Sequence, residues 1–232
     1  MRSLQGAPVP SSPPPNGLAW RKELAHGHAA VRLDDILSHL WGSGIPVIPM
    51  EGLPSPNFQG LACVVENRPA IVISHKYDEP GRIAFLVAHE AGHIAAGDCA
   101  ADQPVVDEEE EVVDDSEIER AADRYATRVL VGDDSAPAVE AADFKDLAKR
   151  ASRIERESGA DASAVIFAWA ARTHEYAIAT MAVNALYRGS GARRSLRNHL
   201  ERHLDLDAAN ETDRALLRCV HSGELMRDAR VA

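Results

Sequence analysis

Disulfide chemistry has almost nothing to work with in this chain. Its three cysteines, Cys63, Cys99 and Cys219, are odd in number and widely spaced, with no CxxC pair. Such a set builds no disulfide framework and suits a reducing compartment. Long apolar runs are missing as well. The longest, Ala164 to Ala171, falls far short of the roughly 20 residues that cross a bilayer. The N-terminus lacks the apolar core of a signal peptide. A cytoplasmic protein with no membrane role is the expectation. Aromatic residues are scarce, at 5%, while 45% of the chain is apolar and alanine is abundant. That balance favours helices over β-sandwiches or barrels.

Positive charge is also in deficit, with 25 Lys and Arg against 36 Asp and Glu, a formal net charge of −11. Sequence-independent binding to nucleic acid or to an anionic membrane is disfavoured by that sign. The charge is uneven, however. Asp98 to Glu140 holds 15 acidic and 3 basic residues, a net of −12, and Ala141 to His203 holds 11 basic and 7 acidic, a net of +4. No internal repeat is present.

Along the chain, residues 1–17 carry Pro8, Pro10, Pro13, Pro14 and Pro15 among Ser and Gly, which reads as a disordered or extended tail. Leu33, Ile36, Leu37 and Leu40 recur at helical spacing and stop at Gly42-Ser43-Gly44. Ile45–Ile48 reads as a short strand, at an edge because of Pro46. Leu61–Glu66 and Ala70–Ser74 flank Asn67-Arg68-Pro69 as a hairpin. Asp78 is placed to cap a helix that tolerates Pro80 in its first turn and ends at Gly97. An acidic loop without periodicity, 100–115, follows. A second helix begins near Ser116 with an apolar face of Ile118, Ala121, Ala122, Tyr125, Ala126 and Val129, and it breaks at 132–137. Further helical pieces are separated near Gly159 and Gly189-Ser190-Gly191. The expected fold is α+β, a small sheet or hairpin packed on the two motif helices. Residues 18–135 form the main domain and 136–232 an additional helical region.

The informative motif is His89-Glu90-Ala91-Gly92-His93. On a helix, positions i and i+4 share a face, so the two imidazoles reach one Zn2+ at about 2.0–2.1 Å. Glu90, beside them, is free to hold and deprotonate the water that attacks a carbonyl carbon. The bland alternative is an exposed helix face with two solvated histidines. The apolar neighbours Phe85, Leu86, Val87, Ala88 and Ile94 argue for a central helix instead. A catalytic zinc wants a third protein ligand. Glu119 and Asp123 lie four apart on one helical face, the first placed to bind metal and the second to orient a histidine. Ser116-x-x-Glu119 is equally a capping box, and Glu117, Asp114, Asp115 and Glu108–Glu111 are rival ligands.

His89-Glu90-x-x-His93 followed by Glu119-x-x-x-Asp123 resembles the HExxH and ExxxD pair of gluzincin metallopeptidases. More narrowly, Ile71-Val72-Ile73 before the first helix, with Glu119, Ala122, Asp123, Tyr125 and Ala126 after it, resembles the ImmA/IrrE family over roughly 31–131. The resemblance implies Zn2+ held by His89, His93 and Glu119, with Glu90 as general base and Asp123 as an outer partner. It also implies a peptidase that cleaves or inactivates a cognate helix-turn-helix (XRE-type) repressor. This chain departs from the pattern in its acidic Asp107–Asp115 run and in its last hundred residues.

Three further readings complete the expectations. The hairpin strands are candidates to offer an edge to a substrate peptide. Tyr77, Tyr125, His174 and Tyr176 are candidate oxyanion donors, none of them assignable. The 151–172 segment has a helix–Gly–helix look, but its second helix, Ala162–Arg172, is nearly all apolar and lacks base-reading side chains. DNA binding is therefore the lesser reading beside a packing or docking module. Two alternatives to a peptidase remain. One is a metal-bound regulator that sequesters a repressor or binds DNA. The other is a structural zinc site closed by a fourth ligand such as Cys99.

Overall fold

The computed structural model describes residues 10–25, 30–50, 58–65, 67–74, 77–99, 105–108, 117–132, 140–186 and 191–204. Among these are eight helices and one four-stranded mixed sheet, an α+β fold. The elements are α1 (Gly17–Ala25), α2 (Leu33–Gly42), β1 (Val47–Met50), β2 (Phe58–Val65), β3 (Arg68–Ser74), α3 (Pro80–Ala96), β4 (Val105–Glu108), α4 (Glu117–Leu130), α5 (Phe144–Ser158), α6 (Ala162–Thr173), α7 (Tyr176–Leu186) and α8 (Ala192–His203).

The sheet order is β1-β3-β2-β4. β3 runs parallel to β1 and antiparallel to β2, and β4 runs antiparallel to β2. Ile71 and Ile73 of β3 are fully buried and Val72 between them is not, while Ala70 and Ser74 are buried as well, as befits an inner strand of the sheet. β2 presents Gly60 and Ala62 to the interior, both buried. Small residues there let α3 lie close against the strand. The hairpin is tighter than expected. Arg68 and Pro69 belong to β3, paired with Val65 and Val64, and Asn67 takes the left-handed conformation (φ 65°) that a short turn requires.

α3 is the central helix. Twelve of its residues are buried, including His89, Glu90 and His93, and it packs on α4, α6, α2, β2 and β3. It ends as expected at Gly97, in the left-handed region (φ 79°). Its start differs from expectation. Asp78 does not cap it; the N-cap residue is Glu79, which makes no side-chain cap bond. Asp78 caps α8 instead. Its Oδ1 accepts from Arg193 N at 2.8 Å, and its carbonyl accepts from Gly191 and Ala192 N–H. Capping chemistry is local in geometry but not in sequence, so an Asp beside one helix start can serve another.

Three more expectations change. The acidic segment contributes a strand, β4, where no periodicity was readable, because four residues held on one side leave too short a pattern. Ile118 on α4 is 50% exposed, and the buried face is Ala122, Tyr125, Ala126, Val129 and Leu130. The hairpin strands offer no free edge, since among the described residues β2 and β3 both lie inside the sheet and β1 and β4 are its edges.

Residues 10–16 are extended and held in place, through Ser11 N–H to Ser43 O and Tyr125 Oη–H to Pro14 O. Residues 1–9 and 205–232, the 66/67 end of the expected β2 at Glu66, and the expected boundary at 135/136 lie outside the described residues. α1 packs on α4 through Trp20 and Tyr125, and Arg21 donates to the carbonyls of Val129 and Leu130 at the end of α4. α6 is buried along its length, between α3, α4, α5 and α7. A helix buried in this way cannot also be a DNA-reading helix. His174, left-handed at φ 61°, separates α6 from α7, a break that sequence reading missed. No described helix is long and apolar enough to cross a membrane.

The contact from Asp78 to α8 carries a testable consequence. Asp78→Ala is expected to destabilise the protein by about 1 kcal/mol, with Asp78→Asn retaining most of that stability. Denaturant unfolding measures the difference, and an unchanged midpoint in the alanine variant would contradict the assignment.

Candidate metal centre

α3 and α4 pack tightly at Gly92. A Cβ placed there would lie 3.2 Å from Tyr125 Cδ1 and 3.3 Å from Ala122 Cα. Glycine on one helix and alanine on the other thus bring the two axes together, and the side chains one turn away meet. Those side chains are His89 and His93 on α3 and Glu119 and Asp123 on α4.

The histidines are held from behind by carboxylates. His89 Nδ1–H donates to Asp123 Oδ1 at 3.0 Å, and His93 Nδ1–H donates to Asp98 Oδ2 at 3.1 Å. An ionised carboxylate only accepts, so these partners assign the tautomers. Asp98 was not singled out in the sequence. It reaches His93 because Gly97 reverses the chain, with Asp98 N–H returning to His93 O at 3.0 Å. The readable signal was an acid directly after a helix-ending glycine, five residues past the second histidine.

With both Nδ1 atoms occupied, both Nε2 atoms face inward, toward Glu119. They lie 3.1 Å from each other, His89 Nε2 is 3.0 Å from Glu119 Oε2, and His93 Nε2 is 3.6 Å from Glu119 Oε1. Two imidazole nitrogens and a carboxylate that converge in this way repel unless protons or a cation lie among them. Ligands at about 2.0–2.1 Å on a tetrahedral ion are roughly 3.3 Å apart; the two nitrogens are near that spacing, and Glu119 presents a different oxygen to each of them. His89, His93 and Glu119 are the described group able to hold a metal ion, with ligand atoms all within 4.8 Å of one another. Of the rival ligands, Glu117 points to Arg124 at 3.0 Å, and Glu108–Glu111, Asp114, Asp115 and the Ser116 cap lie where no side chain is described. Cys99 is not part of the group. Burial, with the nearby Glu90 and Asp98 charges, pushes its thiol up to about 12, so in the metal-free protein it is protonated at neutral pH.

Glu90 is 1% exposed beside this cluster, against β2. A Cβ on Gly60 would overlap its carboxylate and lie 2.8 Å from its Cδ. Gly60 is therefore the second glycine the site depends on, since only a residue without a side chain leaves the carboxylate its place. Tyr125 donates to Pro14 and belongs to the core. The Tyr77 ring carries the Arg82 guanidinium, and Tyr176 is 44% exposed. None of these three is in the cluster.

The electrostatics follow from the packing. Burial alone would lower the His89 pKa, but hydrogen bonds to Asp123 and Glu119 and the Glu90 charge outweigh it and hold His89 well above the usual 6.5. At His93, burial and the neighbouring His89 work downward, and Glu119 with Asp98 still raises it. Burial would raise Glu119, yet hydrogen bonds from the two histidines pull it down to about 2. Without metal, the cluster holds protons where a cation would go.

Comparison with models of known protein families and with curated proteins finds no match for this chain.

Two outcomes are expected here. Asp123→Ala and Asp98→Ala should each weaken zinc binding by about 10–100-fold, because an unsupported imidazole loses orientation and basicity. Competitive chelator titration measures this, and unchanged affinity in both variants would contradict the roles. The second concerns pH. In the metal-free protein, the histidine contribution to stability is complete below 6.5 and lost as pH rises through the raised folded values. The Glu119 contribution is present above 4.5 and lost as pH falls toward about 2. Metal must displace the histidine protons, so zinc affinity rises with pH and binding releases protons. Calorimetry in two buffers of different ionisation enthalpy measures the release, and buffer-independent heats would contradict it.

Proposed function

We propose that this chain is a cytoplasmic zinc-dependent peptidase. The single observation that carries the reading is the convergence of two carboxylate-backed imidazoles and one carboxylate, with ligand atoms within 4.8 Å of one another and a buried glutamate beside them. Two histidines and one glutamate are a donor set of catalytic zinc, and three protein ligands leave one position for the reacting groups. A zinc ion bound there supplies Lewis acidity, which lowers the pKa of water and polarises the scissile carbonyl.

The protein's own residues do the rest. Glu90 accepts a proton from the attacking water as the oxygen adds to the carbonyl carbon. It then delivers that proton to the amide nitrogen as the C–N bond breaks. Gly60 keeps space for this carboxylate, and Asp123 and Asp98 keep the imidazoles in one tautomer. β4, an edge of the sheet and the strand paired with Gly60 of β2, provides a backbone ladder on which an extended substrate can add as a further strand.

The proposed substrate is a helix-turn-helix repressor, on the ImmA/IrrE resemblance of the His89–His93 and Glu119–Asp123 segments. A regulator that sequesters such a repressor without cutting it is the second reading, favoured by the same resemblance. The two readings separate on Glu90.

Incubated with a repressor encoded beside its gene, the zinc-loaded protein should produce a discrete cut that a chelator prevents. His89→Ala should lose metal and cleavage together. Glu90→Gln should retain metal while cleavage falls by about 10²–10⁴-fold. Full cleavage by Glu90→Gln would overturn the mechanism, and repressor inactivation without a cut, equal in both forms, would establish the sequestering regulator.

A further inference from the structure

A hollow of about 380 Å3 opens between α4 and α6. Its walls contain none of His89, Glu90, His93 or Glu119, so it is not the space in which the ligand atoms converge. The apolar part is Val165, Ala168 and Trp169 from α6. Its lining also includes three arginines, Arg120 and Arg124 from α4 and Arg172 from α6, with His174 at the end of α6. The one acidic residue in the wall, Asp123, already gives its Oδ1 to His89.

Close-packed interiors hold few voids larger than a water molecule, and this one has the size and lining of a small-molecule site. Its charge is the telling feature. In a chain of net charge −11, three of the eleven residues lining the hollow are arginines. Arg124 is engaged by Glu117 at 3.0 Å, but that pair is 48% and 77% exposed, so it competes weakly with a buried anion. Arg172 is exposed at the rim. Guanidinium forks match planar or tetrahedral oxyanions with paired hydrogen bonds, while the Trp169 side would take up an apolar body.

We propose that the hollow is a binding site for a small amphipathic anion, an acyl chain or ring that carries one oxyanion head. Arg124 and Arg172 bind the head, and Val165, Ala168 and Trp169 enclose the apolar part. The site does not rest on the peptidase reading, although Asp123 makes it a direct neighbour of His89.

The test is calorimetric titration of the full chain with octanoate, octyl phosphate and octanol, with zinc and with a chelator. Octanoate or octyl phosphate should bind at one site in the metal-free protein as well, the tighter of the two identifying the preferred head, and octanol should bind at least about ten-fold more weakly, having no charge for the arginines. The doubly substituted Arg124→Glu/Arg172→Glu protein, altered only at exposed positions, should lose the anions by about ten-fold or more and retain zinc. Ala168→Trp, which fills the hollow, should abolish both. Equal binding of octanol and octanoate, or wild-type binding in either variant, would overturn the site. Loss of zinc binding with octanoate binding intact would count against the metal centre and leave this site standing.

Discussion

The functional geometry depends on how closely two helices can cross. Glu119 reaches His89 because α4 meets α3 at Gly92 and Ala122, where added side-chain atoms would push the axes apart. A displacement of about an ångström would already open the ligand triangle beyond what one ion spans at 2.0–2.1 Å. Much else in the fold maintains this crossing. Trp20 of α1 lies against Tyr125, Arg21 caps the end of α4, and α6 packs against both helices. Helices from both sides of the motif, α1 before it and α6 after it, therefore act as a buttress for it.

A second constraint is electrostatic. Three acceptors converge in a buried place, and two more carboxylates stand behind them. Such an arrangement is unstable alone and settles by holding protons or a cation. The same fact explains the raised histidines, the depressed glutamate and the suitability for a divalent metal. Placing Glu90, the proposed general base, in the same buried region adds to the negative potential, and the strand residue opposite its carboxylate is Gly60, where a Cβ would meet it. The basic hollow between α4 and α6 lies on the other side of Asp123's helix wall, where three arginines balance part of that acidity.

Which parts could be read without coordinates follows from the range of each interaction. The HExxH spacing, the stop at Gly97, the hairpin and the helical character of 144–203, with its break at Gly159, depend on neighbours within a turn or two and were legible, whereas the break at His174 was not. Glu119 and Asp123 were legible as a pair on one face, but the capping box competed for Glu119, and only the resemblance to a known family ranked them. Asp98, Gly60 and the role of Asp78 were not legible. Each acts on a partner whose position is set by a chain reversal, a sheet register or a helix more than a hundred residues away.

By itself, the sequence determined the chemistry on offer: two imidazoles on one helix face with a carboxylate beside them, an acidic pair on the next helix, three widely spaced cysteines and no long apolar run. Those properties follow from residue identity and helical period. Only the tertiary structure decided which carboxylates stand behind which imidazole, that β4 joins the sheet, that Ile118 faces out, and that α6 is core. These outcomes depend on how close two backbones can come and what fills the space between them, and no local pattern encodes a distance between elements far apart in the chain.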